Sequence, residues 1–227
     1  MTQHVERATP TASGTGRSAA QRAIVHRLGH LMMRHRDLAG TAAVFLAFFF
    51  LYRAVGLRLV GVESRFEFFG SDVDNWFGLA RDAEPRHPLI PLFIAPLVPL
   101  IRYAVVGPAQ EAVFLNALFG ATAVALACQV FRRLLVGAVE SILLTLLFGL
   151  SMNQVMAGSV PETYALSACA ITGTYLLFLA SLRRRGVNML AWTTTALVAL
   201  GVTVSTVPQV GVTFLLAMHT ARIPRWF

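Results

Sequence analysis

The chain has 227 residues, 56% hydrophobic and 13% charged, with a formal net charge of +8. That apolar excess excludes an ordinary soluble domain. Several runs of about 20 residues with few or no charges match a hydrocarbon core about 30 Å thick, which predicts an all-α, polytopic transmembrane helical bundle. The basic balance does not point to nucleic acid. All nineteen basic residues are arginines, gathered at the N-terminus and in short turns between apolar runs, where positive charge encodes membrane topology.

Residues 1–36 contain Thr, Ser, Gly, Arg and His without a sustained apolar run and read as a basic cytoplasmic tail, disordered in its first part. Within it, the spacing of Ile24, Val25, Leu28, Leu31 and Met32 permits an amphipathic helix over 21–36 on an anionic leaflet. No short apolar core with a small-residue cleavage site stands near the start, so a cleavable signal peptide is not expected. The first span covers about 38–62. Arg53 and Arg58 fall in its outer half, positioned either to snorkel or to face a polar cavity.

An outer loop, 61–109, follows. Six of the chain's eleven acids lie between Glu63 and Glu84, in a membrane protein otherwise nearly free of them. The stretch FFGSDVDNWFGLARDAEPRHPLIPLF gathers Asp72, Asp74, Arg81, Asp82, Glu84, Arg86 and His87. The later part, 88–106, is apolar enough to cross but carries Pro88, Pro91, Pro96 and Pro99 and ends near Arg102. If it crossed, with a cytoplasmic N-terminus, Arg132-Arg133 and Arg183-Arg184-Arg185 would face outward. If it lies along or dips into the outer face, both clusters fall inside, and that is the expected topology. The remaining spans are 111–131, 134–150, 161–182, 187–207 and a short 208–221, with a second outer loop at 151–160. The result is about six crossings, interfacial helices in the first outer loop, and both termini cytoplasmic. Cys128 and Cys169 fall within spans and read as small core residues.

Asp72 and Asp74, one residue apart, would point about 200° apart on a helix. In a loop or first helical turn they could converge on a divalent cation, Mg2+ or Mn2+, with further oxygen ligands. Either they serve as general base or metal-binding carboxylates, or Ser71 or Asp72 caps an interfacial helix running through Trp76 and Leu79. His87, before Pro88, is either a proton relay, phosphate donor or metal ligand, or an interfacial histidine ahead of a helix-starting proline. Arg81 and Arg86 offer planar donor forks for phosphate, or balance Asp82 and Glu84. In SMNQVMAGSVPETYALSA, Ser159 and Glu162 fit capping-box spacing, while an acid at the membrane boundary could equally complete a site with Asp72. Tyr164 is an interfacial aromatic or a substrate contact. Glu140 is expected to make a bundle hydrogen bond or salt bridge.

The order of these pieces resembles the N-terminal membrane module of GT-C glycosyltransferases. The carriers are a basic N-terminus, one span, FFGSDVDNWFGLARD, then RHPLIPLF, a span ending in FRRLL, another span, and VPETYALSA. The nearest likeness is glycosyltransferase family 39, the group of protein O-mannosyltransferases and lipid A aminoarabinose transferases. The resemblance covers residues 37–227 and implies an integral protein of the bacterial cytoplasmic membrane. It implies transfer of a sugar from a polyprenyl-phosphate donor to an acceptor at the extracytoplasmic face. It places Asp72 or Asp74 at the loop acid, His87 at the H-P position and Glu162 at the acid of the second outer loop. Beside what the resemblance implies, Arg58, Arg81 and Arg86 are candidates to stabilise the departing phosphate and Tyr164 to contact substrate. Members commonly have a D-E pair where this chain has Asp72-Val73-Asp74, and many are about twice as long, so the expectation is a fragment, a half that needs a second membrane subunit, or a minimal relative. The alternative is a non-catalytic membrane subunit that binds lipid-linked substrate or a partner protein.

Overall fold

The computed structural model describes residues 15–60 and 94–222, apart from 104, 106, 135, 136, 185 and 203. The described elements are α1 (Thr15–Val60), α2 (Val98–Arg102), α3 (Pro108–Arg133), α4 (Ala138–Gly149), α5 (Met152–Ser159), α6 (Tyr164–Arg184), α7 (Met189–Val202), a 3-10 turn (Val204–Thr206) and α8 (Val207–Arg222). No strand occurs among the described residues. The chain forms two compact units, Met1–Gly40 and Thr41–Phe227. The first supplies the N-terminal part of α1, which covers the 21–36 stretch expected to be helical. The helical bundle is the second.

Among the described residues, three helices are long and apolar enough to cross a membrane: Asp37–Leu59 within α1, Ala109–Arg133 and Tyr164–Arg184. The pair α4 and α5, bent by 61°, makes a fourth if counted as one span. In a bilayer every backbone polar group must find its partner within the protein, which favours long helices. Polar side chains inside them follow the same rule. Thr172, Thr174 and Ser181 each donate to the carbonyl four residues back, at 2.7, 2.8 and 2.9 Å.

The direction of each helix follows from its contacts. At one end, the Arg183 guanidinium donates to the Arg133 carbonyl at 2.6 Å, joining the C-termini of α6 and α3. A cation there also complements the negative end of the α3 dipole. At the other end, Glu162 N–H donates to Asn116 Oδ1 at 3.4 Å, joining the start of α6 to the first third of α3. The two helices therefore run parallel. Within its second-unit part, α1 runs opposite to them: Thr41 accepts from Gln129 near the arginine end, while Gly56 packs on Ser159 and Val113 near the Glu162 end. Between the parallel helices the chain must return, and α4 with α5 makes that return. The arginine pairs that end α3 and α6 thus share one end, as the charge pattern predicts.

The expected 134–150 span and 151–160 loop take a different form. The span ends at Gly149, and 152–159 is helix rather than loop. Two local features turn the chain. The Gly149 carbonyl, which a continuous helix would give to residue 153, accepts instead from the Tyr52 hydroxyl at 2.7 Å. Ser151 starts a new helix by accepting from Gln154 N–H at 3.3 Å. Glu140 sits exposed in the first turn of α4, its carboxylate folded over Gly137, where it complements the positive helix end.

The expected 187–207 span is 14 residues of α7, about 21 Å, followed by the 3-10 turn. Asn188 caps it by accepting from Ala191 N–H at 3.2 Å, and buried Trp192 donates to Ser181 at 3.2 Å, tying α7 to α6. Of the 88–106 segment, the described part holds only the five-residue α2, far too short to cross. Ile94, Ile101 and Val105 are buried with Ala112 and Leu115, so this segment packs on the first turns of α3. Arg102 pairs with Glu111 at 3.5 Å across the same junction. Cys128 and Cys169 are free thiols.

The packing of α1 depends on small residues. Phe48, Phe49 and Tyr52 bury against Ala117, Ala121 and Val124 of α3. A Cβ on Gly120 would lie 2.7 Å from the Gly158 Cα and 3.1 Å from the Tyr52 ring, and one on Gly158 would strike that ring directly. Membrane helices associate by such close packing, because lipid removes the hydrophobic advantage of burial.

Candidate functional site

At the Glu162 end, α5 stops at Ser159 and α6 starts at Tyr164, and the backbone between them carries orphan polar groups. Val160 is extended (φ −91°, ψ 126°) and Pro161 has no N–H, so the last carbonyls of α5 need outside donors. Asn116, fully buried on α3, supplies them: its amide donates to Ala157 O and Val160 O, both at 2.6 Å. Its oxygen accepts from Glu162 N–H, so a single side chain holds three backbone groups of the turn. Gln154, also buried, donates to Gly120 O at 3.2 Å and fixes α5 on α3.

The turn so held lines a cavity of about 460 Å³, formed by Asn153, Gln154, Met156, Ala157, Val160, Glu162 and Tyr164. That volume falls within the roughly 300–1,000 Å³ typical of small-molecule sites. Its chemistry is mixed. A carboxylate, two carboxamides and a phenol can exchange hydrogen bonds with hydroxyl groups, while Met156, Ala157 and Val160 give an apolar wall. Glu162 is half-buried and Tyr164 is 65% exposed.

Of the residues singled out from the sequence, Glu162 and Tyr164 are brought together on this cavity. Arg58 is exposed in the last turn of α1 and is not among the lining residues. Asp72, Asp74, Arg81, Arg86 and His87 lie outside the described residues. The capping-box reading of Ser159 and Glu162 does not hold. Ser159 ends α5 instead of starting α6, and its buried hydroxyl has no hydrogen-bond partner among the described residues. The physical reason is Asn116, whose amide captures the carbonyls around Ser159 and draws the turn onto α3 before a helix can restart.

Asn116 escaped sequence reasoning. The usable signal was a carboxamide in an apolar span, where an unsatisfied polar group is too costly to stand without a structural or functional partner. Among the described residues, no three His, Cys, Asp or Glu side chains come together as a metal site. No protein-family model, curated protein or solved structure matches this chain.

Proposed function

We propose that this chain is a membrane glycosyltransferase of the GT-C type, or its N-terminal part, transferring a sugar from a polyprenyl-phosphate donor to an acceptor hydroxyl. One observation supports this reading above others. The cavity bearing Glu162 and Tyr164 lies at the bundle end where α1 finishes and where Ile94 packs on α3. The residues flanking 61–93, which carries Asp72, Asp74, Arg81, Arg86 and His87, are thus anchored on the Glu162 side. The arginine-rich turns lie at the opposite end, which the positive-inside rule assigns to the cytoplasm. On that reading both termini are cytoplasmic and the site faces outward, in a bacterial cytoplasmic membrane.

The proposed reaction is a substitution at the anomeric carbon. Asp72 or Asp74 takes the proton of the acceptor hydroxyl as its oxygen bonds to the anomeric carbon. The bond from that carbon to the phosphate oxygen breaks, and polyprenyl phosphate leaves with the electron pair. Arg58, Arg81 or Arg86 and His87 donate hydrogen bonds to the departing phosphate. Glu162, Asn153 and Tyr164 hold sugar hydroxyls against the apolar wall. A bound Mg2+ or Mn2+ would sit on the hard oxygens of Asp72 and Asp74 and supply countercharge to the phosphate.

Transfer of labelled sugar from polyprenyl-phosphate donor in membranes holding the full chain tests the proposal. Joint Asp72→Asn and Asp74→Asn replacement should lower turnover by at least about 10²-fold, the scale of a lost general base. Glu162→Gln should raise KM more than it lowers kcat. Unchanged turnover in the double variant overturns the mechanism. Donor binding by the unaltered chain without any turnover would instead favour a non-catalytic, substrate-binding subunit.

A further inference from the structure

Arg53 lies within the first membrane-crossing helix and is half-buried. Its guanidinium carbon sits 5.8 Å from the centre of the Phe114 ring, and no carboxylate lies within salt-bridge distance of it among the described residues. Two rulers give its depth. Arg53 is six residues before Leu59, where the apolar part of α1 ends, and Phe114 is six residues past Pro108, where α3 begins. At 1.5 Å per residue each places the cation about 9 Å beneath the helix ends. Side chains lean toward the N-terminus of their helix, which for Arg53 is away from the nearer interface. The ring contact keeps the head near that level instead of letting it reach up to water.

Among the described residues only an aromatic face balances this guanidinium, and in hydrocarbon such a cation is costly and draws an anion or water toward it. The surrounding solvent is lipid, and the anion that lipid offers at this depth is a headgroup phosphate. Arg58 adds a second positive charge in the last turn of the same helix, which disfavours a zwitterionic headgroup with its own cation. We propose that Arg53, seated on Phe114, holds the phosphodiester of an anionic phospholipid drawn down between α1 and α3. Phe114 packs both with the Ile94 cluster and with the Phe49 cluster, so the lipid would brace the junction of α1, α3 and the segment leading to α2. This inference does not depend on the glycosyltransferase reading.

The test uses the full chain in nanodiscs of phosphatidylcholine containing a minor share of phosphatidylglycerol or, separately, of polyprenyl phosphate. Lipids retained after detergent extraction are counted by native mass spectrometry. The unaltered protein should keep phosphatidylglycerol in preference to phosphatidylcholine, and Arg53→Gln should lower that preference about tenfold, the scale of lost charge-assisted hydrogen bonding. Arg102→Gln, an exposed cation at the same end, should keep it. Arg53→Met, which preserves the apolar stem, gives an independent reading if Arg53→Gln does not assemble. No preference in the unaltered protein, or the same preference in the Arg53 variants, overturns the site. Stronger retention of polyprenyl phosphate than of phosphatidylglycerol overturns the phospholipid as its occupant.

Discussion

Asn116 and Gln209 are both carboxamides in apolar helices, yet their surroundings give them different weight. Gln209 donates to the Tyr175 hydroxyl at 3.0 Å on an exposed flank of α8 and α6. Such interhelical bonds in membranes average about 0.6 kcal/mol. Asn116 is fully buried and holds Ala157 O, Val160 O and Glu162 N–H. Each buried group left unpaired costs about 1–3 kcal/mol. Asn116→Leu, which keeps the branched shape but no polar atom, should therefore destabilise the protein by on the order of 2–4 kcal/mol, against less than about 1 for Gln209→Leu. Thermal unfolding in detergent measures both, and equal losses would show that the clamp carries no special weight. The sequence marked Glu162 and Tyr164, since acids and tyrosines are conspicuous at the end of an apolar run. It could not mark Asn116 as their support. Three partners spread over residues 157–162 leave no trace in local spacing around position 116.

At the scale of elements, the bend between α4 and α5 is held by the fit of Tyr52 among glycines. Its ring lies against Gly120 and Gly158 and its hydroxyl reaches Gly149 O. A larger side chain at 158 must displace the Tyr52 ring. Gly158→Val should cost upward of about 1–3 kcal/mol, as overpacking does. Combining it with Tyr52→Leu should cost less than the two separate losses together, because the second change removes the clashing ring. Additive losses, read from the same unfolding measurement, would mean that Tyr52 and Gly158 do not press on each other. The sequence-based reading took 134–150 as a span followed by a loop because that run is apolar and the next residues are polar. Polarity there serves a helix instead. Gln154 is buried against α3, and Ser151 supplies the cap that starts α5.

At the scale of the whole chain, the parallel run of α3 and α6 carries a topological consequence. Their C-terminal arginines share one end, and Glu162 and Tyr164 stand at the other. Single cysteines placed at Leu134 and Gly186 should react with a membrane-impermeant thiol reagent from one side only, and a cysteine at Tyr164 only from the opposite side. Labelling of all three from one side would overturn the pairing of helix directions. Side-specific labelling would also give the absolute orientation that the arginine distribution implies.

Composition alone determined that this is a helical membrane protein, because runs of about 20 apolar residues have no other low-energy use. It also determined that the arginine turns share a side, since the cost of moving charge across a bilayer makes their placement a global constraint. Tertiary structure alone decided where those helices break, which carboxamide is buried, and that Glu162 and Tyr164 share a cavity with Asn153 and Gln154. Those features arise from contacts between distant segments, such as Tyr52 with Gly149 and Asn116 with Val160. A hydrogen bond across 97 or 44 residues has no local periodicity to betray it.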